Sequence, residues 1–184
     1  MQTFIMIFFF VIVPILAIFA IIKKGKYTKQ QIASGEDKRI LLEFANTILK
    51  EPEKYTIAIG NNTVTKHTGP QTTTYYYFSY ILAFNHDDFH IISFRSDKHK
   101  PVFRNIITFN FEEMQLTHKR TKKALKLQLY CAGEKQNITV PDIVRGDNID
   151  KSDTPFAVEQ AKEVQLLEQM VMNYELRSYQ IQKQ

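Results

Sequence analysis

Three hydrophobic patterns succeed one another along the chain. Residues 4–22 (FIMIFFFVIVPILAIFAII) hold no charge and almost no polar atom. As a helix rising ~1.5 Å per residue, this run nearly matches the ~30 Å hydrocarbon core of a bilayer. Next, Ile40, Leu41, Phe44, Ala45, Ile48 and Leu49 recur at helical spacing. Glu36 and Asp37 suit the first turn and Pro52 a stop, so a short amphipathic helix is expected over about 37–50. From Tyr55 the period falls to two. Alternating or β-branched and aromatic runs at 55–60, 72–85, 89–95, 102–117, 124–132 and 136–141 predict six or seven antiparallel strands. A bend is expected near Glu112-Glu113, and polar loops over 61–71 and 141–153. Thr154 and Pro155 read as N-cap and first residue of a long helix, about 155–180. Its apolar face is Ala157, Ala161, Val164, Leu167, Val171 and Tyr174.

The expected organisation is a transmembrane anchor over 1–24, a juxtamembrane linker and short helix over 25–52, and one domain over 53–184. Pro14 lies inside the apolar run, where spanning helices tolerate it. The run has no basic residue before it and no small-x-small cleavage site, since Ile18 precedes Ala20. It is therefore expected to stay uncleaved. Lys23, Lys24, Lys26 and Lys29 follow at once, and the positive-inside rule places residues 23–184 in the cytoplasm of a single-pass cell-membrane protein. Cys131 is the one cysteine, which fits a reducing compartment and a small buried hydrophobe in a strand.

Charge changes the picture locally. The chain of 184 residues carries a formal +5, but residues 90–126 alone set nine Lys and Arg against three acidic residues. Two turns, SDKHKP at 96–101 and HKRTKK at 118–123, concentrate the excess. Lys98, Lys100, Arg104, Lys119, Arg120, Lys122 and Lys123 are the candidate contacts for anionic lipid headgroups or a protein partner. Nucleic acid is not expected, because Tyr75, Tyr76 and Tyr77 point alternately to opposite faces of a strand and build no stacking platform.

Chemistry is thinly represented. The six glycines stand at least nine residues apart, so dinucleotide, P-loop and nucleophile-elbow signatures are impossible. One cysteine excludes C-x-x-C sites. His86, Asp88 and His90 are the only concentrated metal-ligating types, yet Asn85 to Asp88 also has the composition of a hairpin turn. No cofactor and no catalytic residue are expected.

Residues 106–140 (IITFNFEEMQLTHKRTKKALKLQLYCAGEKQNITV) run as hydrophobic strand, basic hairpin, alternating strand, glycine and strand. This order, closed by one long C-terminal helix, resembles the second half of bacterial pleckstrin-homology-like (PH-like) domains on small membrane-anchored proteins. The resemblance covers about residues 53–180. It implies an α+β, mainly β fold: a PH-like barrel or sandwich of six or seven strands capped by the helix, after an N-terminal transmembrane helix. The chain departs from eukaryotic relatives in having no Trp and only Lys66 and His67 as basic residues in its first hairpin. Such folds host unrelated functions. Three readings follow: a membrane-anchored, non-enzymatic interaction module; a structural subunit of a membrane complex; and a metal-dependent enzyme using the His86–His90 turn.

Overall fold

The computed structural model describes residues 12–67, 69, 73–97, 99–109, 115–131, 134–146 and 155–181. Helix α1 spans Val13–Ser34, with Pro14 at the start of that span. A linker is expected over 27–35, but the helix continues to Ser34. No glycine or proline interrupts residues 26–34, and Lys and Gln are good helix formers. Gly35 ends it in the left-handed conformation (φ 67°), its N–H bonded to the Ile32 carbonyl. Helix α2 follows at once over Glu36–Asn46. Among the described residues no helix is long and apolar enough to cross a membrane. Residues 4–11 of the apolar run lie outside the described residues.

Seven strands form one antiparallel sheet: β1 Thr56–His67, β2 Thr73–Phe84, β3 Phe89–Asp97, β4 Lys100–Phe109, β5 Gln115–Arg120, β6 Ala124–Cys131 and β7 Glu134–Pro141. Their order is β4-β3-β2-β1-β7-β6-β5. A separate ribbon pairs β8 Ile143–Arg145 with β9 Ala157–Glu159, and helix α3 spans Ala161–Ile181.

Both faces of the sheet are covered in part. On one face Leu82, Phe84, Ile91, Leu125, Leu127 and Ile138 pack on Val164, Leu167 and Val171 of α3. On the other, Ile59, Ile81, Ala83, Ile92 and Phe94 pack on Leu41 and Ala45 of α2 and on Val144, Phe156 and Val158 around the ribbon. Strand β2 therefore buries six consecutive residues, Ser79 to Phe84, because each parity has its own core. Strands β1 and β7 share one paired position, Asn61 with Thr139. Beside it the backbones close on Gly60, where a Cβ would stand 2.5 Å from Ile138 Cγ2. Past that point the side chain of Gln160 bridges the gap. Its Oε1 accepts the Ile59 N–H at 2.7 Å, and its Nε2 donates to the Ile59 and Pro141 carbonyls at 2.8 and 2.7 Å.

Three expectations are corrected. The polar loop over 61–71 is strand as far as His67: Thr63, Val64 and Thr65 pair with Tyr77, Tyr76 and Tyr75, and β-branched residues facing aromatics favour the ladder. The loop over 141–153 contains β8. The C-terminal helix starts at Ala161 and not at Pro155, because Phe156 and Val158 are drawn into the second core and residues 157–159 pair with β8. Thr154 and the bend at Glu112-Glu113 lie outside the described residues.

Candidate functional site

The basic residues do not form one surface. In an antiparallel ladder consecutive turns emerge at alternate ends. Followed through the pairing order, the β3–β4 turn shares its end with the β1–β2 and β6–β7 turns, while the β5–β6 turn lies at the other. Lys100 is exposed opposite Asp97 at the first of these ends. Lys119, Lys122 and Lys123 are exposed at the second. Lys98 is outside the described residues. Lys119 stands directly across from Lys126, a like-charge pair that works against the hairpin. Arg120 has a structural partner instead. Leu116, His118 and Arg120 share the face of β5 toward α3. Arg120 Nη2 donates to both carboxylate oxygens of Asp142 at 2.8 and 3.0 Å, with Glu168 3.7 Å from its Nε. His118 meets Glu175 in the same way, Nδ1 to Oε1 at 2.9 Å.

Arg104 is placed differently. The β3–β4 register shifts so that Ser93 faces Asn105 and Phe94 faces Phe103, leaving Arg104 as the extra residue of a β-bulge. A bulge re-aims side chains. Here it puts Phe103 on the outer face with Phe94 and turns Arg104 toward the concave face. There, on the sheet face that also carries α3, lies a half-open groove of about 470 Å³ formed by β2, β3, β4 and β7. Phe78, Tyr80, Ile91 and Ile107 make its apolar walls; Arg104, Asn105, Ser93 and Gln136 bring the polar groups. Its volume falls within the ~300–1,000 Å³ of small-molecule sites.

Tyr80 is the buried end of this groove. Gln136 Nε2 donates to its hydroxyl at 2.9 Å. Burial pushes the phenol above its ordinary value, against the Gln136 hydrogen bond, the nearby Arg104 charge and a hydrogen bond with Asn62. Tyr80 therefore stays a neutral hydroxyl that keeps its proton. The hydroxyl is thus engaged by two side-chain amides, Gln136 and Asn62.

His86, Asp88 and His90 are not gathered as a ligand set. Asn85 Oδ1 accepts the N–H groups of Asp87 and Asp88 at 2.8 and 2.7 Å, the backbone role of an Asx turn. His86 Nδ1 lies 2.8 Å from Asp87 Oδ1. His90 sits on β3 with both ring nitrogens engaged, by Thr108 Oγ1 at 3.0 Å and Tyr55 Oη at 3.1 Å. Among the described residues no group of three or more His, Cys, Asp or Glu is placed to hold a metal ion.

Burial holds the His90 imidazole below its ordinary pKa of 6.5, with the Asp88 charge pulling the other way. The unfolded chain then binds that proton more readily than the folded one. Stability should accordingly fall as pH drops below the unfolded value, with a slope that His90→Gln removes. Melting temperatures from about pH 7 to about pH 5 read this out, and an unchanged slope in the variant would refute it.

Sequence reasoning named Arg104 but missed Tyr80, Gln136, Ser93 and Asn105. Their parity in the strands is legible; the bulge that brings Arg104 to them is not. No protein family model matches the chain, and neither a curated protein nor a solved structure is significantly similar to it.

Proposed function

We propose that this chain is a membrane-anchored, non-enzymatic interaction module whose PH-like domain faces the cytoplasm and engages an anionic group of its partner, lipid or protein, in the groove around Arg104. The carrying observation is the β4 bulge, which sets Arg104 beside Tyr80 in a groove on the sheet face that also carries α3. A cation aimed into a largely apolar groove suits a partner that presents one anion with apolar surface next to it. The PH-like reading is supported by the strand order and by the long helix packed on the concave face. The anchor is supported by Ile15, Leu16, Ile18, Phe19, Ile21 and Ile22, all more than half exposed on α1 just before the lysines. The exposed lysines of the β5–β6 turn add attraction to an anionic leaflet, ~1 kcal/mol for each that comes near it.

The same α1 side chains favour a second reading, a structural subunit whose apolar helix packs on another span. One experiment separates the two. A photo-crosslinking residue replaces Asn105 in the full-length chain in cells, with and without Arg104→Gln, and membranes are then washed in alkaline carbonate. The module reading expects the chain to remain in the pellet and to carry an adduct that Arg104→Gln weakens several-fold. An adduct indifferent to Arg104→Gln, or none, would leave only the subunit; release by carbonate would remove the anchor from both.

A further inference from the structure

We infer that the groove binds a small monoanionic amphiphile, a carboxylate on an aliphatic body, and not a polyanionic headgroup. This rests on the interaction-module reading and deepens it. Charge supports the restriction: among the described residues the groove is lined by one cation, Arg104, and no acid. Inositol phosphates and nucleotides carry several charges and are held by several cations and many donors. One guanidinium, with its planar fork of donors, matches the two oxygens of a single carboxylate.

Shape supports the rest. Beside the guanidinium the walls are Phe78, Ile91, Ile107 and the ring of Tyr80. A ligand made only of a headgroup would leave these apolar surfaces in water. An aliphatic body of a few carbons covers them and contributes through burial. Gln136 is already committed to the Tyr80 hydroxyl. Asn62 engages the same hydroxyl, so the ligand's anion is left to Arg104.

The test is calorimetric titration of the full-length chain in nanodiscs of zwitterionic lipid, with empty discs subtracted. The probes are decanoate, decanol and inositol hexakisphosphate. Decanoate should bind saturably, decanol roughly tenfold to hundredfold more weakly for want of the charged contact, and inositol hexakisphosphate should not displace decanoate. Arg104→Gln should bring decanoate down to the level of decanol and leave decanol unchanged. Arg104→Lys, which keeps the charge but loses the planar fork, should recover part of the difference. Arg104 is exposed, so the melting temperatures of both variants should match the parent and exclude unfolding as the cause. Equal binding of decanoate and decanol, absence of saturable binding, or displacement by inositol hexakisphosphate would each overturn the inference. A crosslink at position 105 that still depends on Arg104 would then leave the interaction module standing with a different ligand.

Discussion

Replacing Gln160 with Leu should destabilise the domain by about 3–5 kcal/mol, the largest effect expected of any substitution that leaves the apolar core intact. Gln160 is 2% exposed, and its amide satisfies three backbone groups at once. Those groups, the Ile59 N–H and carbonyl and the Pro141 carbonyl, would otherwise be served by ladder bonds between β1 and β7. The two strands have parted by then, so the side chain supplies what a neighbouring backbone would. Leu matches the volume and offers no polar atom. Each orphaned group costs ~1–3 kcal/mol, less what entering water recovers. Gln160→Glu should not rescue at neutral pH, because a carboxylate would face two carbonyls. Denaturant unfolding of the purified chain measures the loss, and a cost for Gln160→Leu below about 1 kcal/mol would show that the bridge is dispensable.

Asp37→Ala should come second, at about 2–4 kcal/mol. Asp37 is 3% exposed at the start of α2. It accepts the Ala157 N–H at 2.7 Å through Oδ2 and faces His99 Nε2 at 2.7 Å through Oδ1. One carboxylate thus joins α2, the ribbon and the β3–β4 turn. His99 holds a left-handed backbone (φ 65°), unusual for a residue with a side chain, and its ring lies 4.9 Å from that of Phe156. Alanine leaves the Ala157 N–H buried without an acceptor and frees the His99 ring. Asp37→Asn keeps an acceptor for Ala157 and should cost clearly less. If Asn proved as costly as Ala, the carboxylate's charge toward His99, and not the backbone hydrogen bond, would dominate.

Both residues show why the sequence was legible only in part. Strand β6 could be read because its alternation runs long enough to exceed chance, as Leu125, Leu127 and Leu129 do, and β2 because its run is β-branched and aromatic. Helix α2 could be read because four apolar positions, Ile40, Leu41, Phe44 and Ala45, share one stripe; Ile48 and Leu49, expected to extend it to about residue 50, lie past its end at Asn46. The ribbon could not: three-residue strands carry too little period, and residues 156–158 fell inside the helix expected over about 155–180, with Ala157 on its apolar face. Gln160 looks like any polar residue at a helix start; its function depends on the parting of two strands whose bonded residues lie 101 and 19 positions earlier in the chain. Arg104 was legible as charge but not as geometry. Simple alternation places it opposite Asn105 in facing, and only the inserted bulge residue sets the two toward one groove. The two basic turns looked like one feature because they are close in sequence, whereas strand order sends them to different ends of the sheet.

Helix α1 is unbroken from Val13 to Ser34, and Gly35 alone separates it from α2. Mechanically this is a shaft with a single joint. From Lys23 to Ser34 it rises about 18 Å at ~1.5 Å per residue. A coil of the same length would lose any twist applied to it within a few residues. A hydrogen-bonded helix carries torsion along its axis, so a rotation of the apolar end around Ile15 and Phe19 arrives at Gly35 as torque on α2, whose Leu41 and Ala45 are seated in the core. The heading of the groove is thereby geared to the apolar segment, and a neighbour that turns one turns the other.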